Sequence, residues 1–184
     1  MSNYKLPCDD HGCCPPHPQP HPSPVTILNC GTGAGVSLPI LSNESNNNNF
    51  VPQVVGTVNI DTSNLDHINK KIEFSSIVNF QTRDFEDDYF IVLVFQLSAV
   101  CNGGYKVPLG SWAYERNFCI ENNNDDMIWT FKDPFGFTWC ECDECPECCR
   151  FIVEVVDFRY NSIASASVTN VGINALAVGT PKRW

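Results

Sequence analysis

The sequence predicts an all-β fold, a jelly-roll-like two-sheet sandwich carrying an extended proline-rich N-terminal arm. Three observations predict it. Apolar residues alternate with polar ones at period two, as in Ile72, Phe74, Ser76, Val78 and Phe80 and again in Phe151, Val153 and Val155. The alternating runs are short and rich in valine, isoleucine, threonine and aromatics, and Asn, Asp, Gly and Pro bound them. No segment of ten residues or more carries a capped apolar stripe of helical period. With roughly eight to ten such runs and no βαβ rhythm, two packed sheets are the expected architecture.

Residues 1 to 24 form the arm, and 25 to 184 the sandwich domain. The arm holds Pro7, Pro15, Pro16, Pro18, Pro20, Pro22 and Pro24 and three of the four histidines, His11, His17 and His21. Proline lacks an amide hydrogen and fixes φ, so this stretch favours extended polyproline II geometry. "VTIL" then reads as a first short strand. The glycines of "CGTGAG" (30 to 35) resemble a phosphate loop only superficially, because such loops open a helix. Here "VSLPILS" follows, and it alternates like a strand, so a strand-to-strand turn is expected.

"NESNNNN" (43 to 49) reads as an exposed loop. The strand candidates after it are "QVVGTVNIDTS", "KKIEFSSIVNFQT", "DYFIVLVFQLSAVC", "SWAYERNFCI", "DMIWTFKDPFGFTWC", "CRFIVEVVDFRY" and "SIASASVTNVGINALAVG". "FIVLVF" (90 to 95) is apolar on both faces and belongs at the centre of a sheet. His67 lies in "SNLDHINK", read as a polar solvent-facing loop, and the acidic run "DFEDDY" (84 to 89) as a solvated turn.

At 184 residues and 43% hydrophobic content the chain is sized for one domain with a core. A formal charge of −10 leaves no basic face to neutralise phosphates, so nucleic acid is not an expected partner. No apolar run approaches the roughly 18 to 20 residues of a membrane helix, so no membrane partner is expected either. The pattern contains no G-x-S-x-G, H-E-x-x-H or P-loop. An enzyme is not expected, nor is a cofactor.

Eleven cysteines point to metal, redox chemistry or cross-links, and the odd number leaves at least one thiol without a partner in its own chain. "WCECDECPECCR" gathers Cys140, Cys142, Cys145, Cys148 and Cys149 between two strands. The C-x2-C-x2-C run from Cys142 through Cys145 to Cys148 can wrap an iron–sulfur cluster given a fourth thiolate. The usual fourth ligand is missing, and Asp143, Glu144 and Glu147 crowd the site with negative charge. A disulfide-tied hairpin end is the expectation. Cys101 and Cys119 sit at strand ends, where a small buried hydrophobe and a cross-link are both admissible readings.

The opening residues "MSNYKLPCDD" lack a basic segment followed by an apolar run, so no secretory signal peptide is expected. Disulfides nevertheless persist in oxidising places. Either the cysteines hold metal, or the protein reaches an oxidising place without being secreted, release by lysis of the cell that made it being one such route.

Geometry gives the arm a use. From Cys14 to Val25 it spans roughly 34 Å at about 3.1 Å per residue, comparable with the roughly 40 Å diameter of the body. It is long enough to lie across a neighbour. Adjacent side chains of an extended segment diverge, so Cys13 and Cys14 can reach two different partners. An edge strand of the sandwich supplies a docking surface by strand addition.

"GCC" followed by a spacer and a single cysteine at the first strand (Cys13, Cys14, Cys30), ahead of an all-β body, resembles the subunits of endospore appendages from Firmicutes. Separately, "VGTVNIDTS", "KIEFSSIVNF", "WTF", "CECDECPECCRFIVEV" and "SASVTNVGINALAVG" resemble an uncharacterised cysteine-rich domain family of clostridia, over most of residues 50 to 179. The appendage resemblance implies a homopolymer on the spore surface. A jelly-roll subunit extends its N-terminal connector into subunits further along the fibre, disulfides lock it there, and other spore-surface proteins are a further class of partner. It implies Cys13 and Cys14 as the connector pair and Cys30 as one acceptor. The last strand of this chain has no cysteine, so the second acceptor stays open among Cys101, Cys119 and the cluster from 140 to 149. A receptor-binding or adhesive module using Trp112, Tyr114 or Trp129 is the rival reading, and a metal-binding cysteine cluster is another.

Overall fold

The computed structural model describes residues 23–40, 50–82, 88–119, 128–142 and 148–182. Ten strands run through them: β1 (Val25–Cys30), β2 (Thr32–Gly33), β3 (Val36–Leu38), β4 (Gln53–Asp61), β5 (Leu65–Thr82), β6 (Asp88–Cys101), β7 (Lys106–Cys119), β8 (Thr130–Cys142), β9 (Cys148–Asn161) and β10 (Ile163–Pro181). No helix occurs among the described residues. The period-two segments became strands because alternation lets one face of each bury apolar groups while the ladder pairs the backbone groups that face a neighbouring strand.

The pairing is nested. β6 pairs with β7, β5 with β8, β4 with β9, and β1 and β3 with β10, all antiparallel. The chain is thus one long hairpin of four rungs rolled across two sheets, which is a jelly roll. One sheet has the order β1-β10-β5-β8, with β3 also beside β10, and the other the order β2-β4-β9-β6-β7. β6, the strand of "FIVLVF", lies between β9 and β7, so it is central as expected.

Prolines mark two of the edges. Pro108 lies in β7 and Pro134 in β8, each the last strand of its sheet. A proline is tolerated there because the missing donor faces away from the ladder.

The core fills the space between the sheets with Ile72, Phe74 and Phe80 from β5, Leu93 and Phe95 from β6 and Phe151 from β9, all buried. On one side the two outer strands β7 and β8 close on each other through rings. Trp112 stacks on Phe137 with centroids 3.8 Å apart, and Phe118 meets Phe131 at 4.7 Å. On the opposite side the first residues form the closure. β1 lies on β10, the chain crosses at Gly31, β2 pairs with β4, and β3 returns to β10. Gly31 donates its amide to Ile173 O at 2.8 Å and Ala34 donates to Val55 O at 2.9 Å, so this crossing is tied to both sheets. "CGTGAG" is therefore a strand-to-strand crossing with a two-residue strand inside it.

Two expectations need adjustment. His67 lies within β5 rather than in a loop; it is exposed and has φ of 50°. It falls at an irregularity where β5 loses register with β10 between Val178 and Thr180, and a bulge of this kind leaves one residue outside the ladder. The acidic run lies outside the described residues at 84–87, while its last residue, Tyr89, is buried in β6.

Candidate functional site

The chemistry-bearing residues are the cysteines, and the fold sorts them. Cys30 closes β1, the strand that continues directly from the arm, and its thiol is free and exposed. Period two from the inward-facing Ile27 and Asn29 turns Leu28 and Cys30 to the outer face. Asn29 confirms that alternation by donating inward, across the sandwich, to Asn59 O at 2.8 Å. Leu28, 63% exposed, stands beside Cys30 on the same outer face of an edge strand.

A second group gathers at one rim. Cys101 ends β6 at the tight turn through Asn102 and Gly103, which adopt φ of 50° and 69°. Both central positions need positive φ, and Asn-Gly is the pair that supplies it at least cost. The turn is closed by Gly104 N donating to Cys101 O at 2.9 Å and anchored to β9 by Asn102 N donating to Cys148 O at 2.9 Å. Cys149 stands directly opposite Cys101 in the β6–β9 ladder, with Cα atoms 4.1 Å apart, and the two are joined in a disulfide.

Cys101, expected as a candidate for a cross-link to a neighbouring subunit, is bonded here to Cys149 of its own chain, and Cys149 bonds to β6 rather than inside its own cluster. The reason is tertiary: sheet order lays β9 beside β6, and neighbouring cysteines along one strand point to opposite faces. Cys149 thus turns inward and is 2% exposed, while Cys148 turns outward with a free, exposed thiol.

Cys140 is likewise free and exposed, on β8 opposite Lys71. Lys71 pairs with Glu73 at 2.5 Å, and that contact holds its ammonium above the ordinary lysine value, with Cys140 adding a smaller pull in the same direction. Cys148 lies opposite Asp61, the last residue of β4. The amide of Ser63 donates to Asp61 Oδ1 at 2.9 Å and holds that carboxyl below the usual carboxylate range. Cys119 and Cys142 end β7 and β8, opposite Asp88 and Asn69. Cys13, Cys14 and Cys145 lie outside the described residues, as do His11, His17 and His21.

Sequence reasoning missed Lys70. It is 2% exposed, and its Nζ donates toward Cys149 Sγ at 3.7 Å. The signal was present, since counting back from Ile72 by two puts Lys70 on the inner face of β5; a lysine there is unusual enough to mark. No group of three or more His, Cys, Asp or Glu residues placed to hold a metal ion occurs among the described residues. Of the aromatics considered for a surface patch, Tyr114 is buried and Trp112 half-buried in the ring seam, while Trp129 is 41% exposed.

No curated protein matches the chain. Among solved structures, a chain titled "Structure of infectious bursal disease virus Gx strain" is similar over 86% of this chain and 41% of its own length, at 10% identity and a TM-score of 0.26. The model of one family, described as "Domain of unknown function (DUF4489)", matches residues 24–178, which include every described strand but the last few residues of β10, and the chain belongs to that family.

Proposed function

We propose that the chain is a structural subunit of a self-assembling fibre, an endospore appendage or related spore-surface filament. Its N-terminal arm docks on neighbouring subunits, and intermolecular disulfides lock the contact. The observation that carries this reading is Cys30: a free, exposed thiol at the end of an edge strand, the first strand in the chain after the proline-rich segment.

Each part has a physical use. Edge strand β1 offers unpaired backbone groups for strand addition. An arm extended as its prolines favour would reach beyond the body that bears it and make a head-to-tail contact, and such contacts propagate into filaments when the rotation does not close. Exposed thiols at Cys30, Cys140 and Cys148 are accessible to a partner's cysteine. On this reading the protein is made in the mother cell, and its thiols oxidise after lysis.

The test is electron microscopy of the purified full chain beside a Cys13→Ser/Cys14→Ser variant, each with and without reductant. Wild-type fibres that resist dissociation until reduced, and variant fibres that fall apart without reductant, are expected. Fibres of the variant that stay as robust as wild type would defeat the disulfide lock.

A further inference from the structure

The rim disulfide is asymmetric. Cys101 is half-buried and adjoins the exposed turn from Asn102 to Tyr105, whereas Cys149 is 2% exposed and faces the core. On the core side, Lys70 Nζ donates toward Cys149 Sγ at 3.7 Å. Glu141 occupies the ladder position opposite Lys70 on β8, and Ala177 the position opposite it on β10. A lysine so deeply buried is costly unless its ammonium has anionic or acceptor company. A thiolate at Cys149 would be a stronger acceptor for that ammonium than the disulfide sulfur it faces now.

Thiol–disulfide exchange is an in-line displacement, in which the attacking sulfur, the attacked sulfur and the leaving sulfur align. Cys101, half-buried beside the exposed turn, is the half of the bond nearer solvent, and Cys149, 2% exposed, is the half set in the core. The leaving group is then Cys149, and exchange is faster when the leaving thiol is the more acidic. A neighbouring ammonium provides that acidity.

We propose that the Cys101–Cys149 disulfide is a directed exchange site for an incoming cysteine-type thiolate. The incoming sulfur bonds to Cys101 Sγ, the Cys101–Cys149 bond breaks, and its electron pair leaves with Cys149 as a thiolate beside the Lys70 ammonium. One disulfide is consumed and one formed, so no external oxidant enters. The proton of the incoming thiol goes to solvent beforehand. The source of the thiolate is either a low-molecular-weight thiol or a cysteine of a second copy of the chain.

The chemistry is testable apart from assembly. Full-length oxidised protein is incubated with glutathione, quenched by alkylation at intervals, and peptide-mapped by mass spectrometry. Glutathione on Cys101 with the alkyl group on Cys149 is expected. Lys70→Met should slow the reaction by about tenfold or more, with Lys70→Arg retaining most of the rate. Glutathione carried mainly by Cys149 in the wild type would overturn the proposal without recourse to any variant. So would a Lys70→Met protein that folds normally by circular dichroism and reacts at the wild-type rate.

The second arm maps assemblies formed without added thiol. Cys101 cross-linked to another copy identifies a protein cysteine as the source, and Cys101 intact there but modified by glutathione identifies the small thiol. The fibre reading stands or falls separately on Cys13 and Cys14.

Discussion

Tyr114 on β7 and Asp133 on β8 join the two sheets at their open side, the phenol donating to Asp133 Oδ2 at 2.6 Å. Arg116 Nε donates to the same oxygen at 2.9 Å, so one carboxylate ties two residues of the facing strand. The pair lies beside the ring seam, where Tyr114 meets Phe135 edge-on at 6.1 Å.

Burial, together with the adjacent carboxylate, raises the Tyr114 pKa far above the ordinary tyrosine value, Arg116 pulling weakly the other way. A raised value means that the folded state holds the proton more tightly than the unfolded one. The associated stability is complete below about pH 10 and drains away as pH climbs from there toward the folded value. In a near-ultraviolet absorbance titration, Tyr114 should appear as a late component, well above the ordinary tyrosine value. Tyr114→Phe should abolish that late component and flatten the decline of the thermal midpoint above about pH 10. A late component that survives the substitution would assign it elsewhere.

Glu154 is 7% exposed on the outward side of central strand β9, and Lys106 covers it with two contacts, at 2.8 and 3.0 Å. Lys106→Met strands a nearly buried carboxylate, so it should cost about 1–3 kcal/mol in urea denaturation. Combining it with Glu154→Gln should recover part of the loss, because the charge that needed a partner is gone. A double variant as unstable as the sum of both singles would show that the two side chains are not coupled.

The ring seam substitutes for backbone pairing where β7 and β8 meet. Trp112 and Phe137 lie nearly parallel at an interplanar angle of 4°. Trp112→Ala should destabilise by about 2–4 kcal/mol, less than a fully buried tryptophan would, since one side of the ring is open. Equilibrium unfolding followed by circular dichroism measures it; a loss under about 1 kcal/mol would mean that the seam packs too loosely to close the sandwich.

On the opposite side, Gly31 has no room for a side chain. A β-carbon there would sit 2.7 Å from both Ile173 Cγ2 and Val58 Cβ. Gly31→Ala should cost about 1–3 kcal/mol by overpacking. It should also loosen β1, read as faster exchange than in the wild type at the amides of Ile27 and Asn29, which lie on the same side of β1 as the Gly31 amide that donates to β10. Wild-type stability in this variant would place the crossing outside the packed body.

Much of the fold was legible because strand physics is local. Alternation along β5 and β9 says which face is buried, and the two-sided apolar run of β6 places that strand inside its sheet. His67 was misplaced for the converse reason, since polar residues around it suggested a loop while β10, over a hundred residues away in sequence, drew it into a strand.

The cysteines mark the boundary. Adjacency in an extended strand turns Cys148 and Cys149 to opposite faces, but chain order does not say which is buried. It placed Cys101 at a strand end without saying what lay alongside. Only the rolling of the hairpin, which sets β9 against β6 and the inner face of β5 over both, chose Cys149 as the partner of Cys101 and put Lys70 beside them. Local propensity is written in neighbouring residues, whereas pairing across a sandwich depends on which strands the shared core brings together.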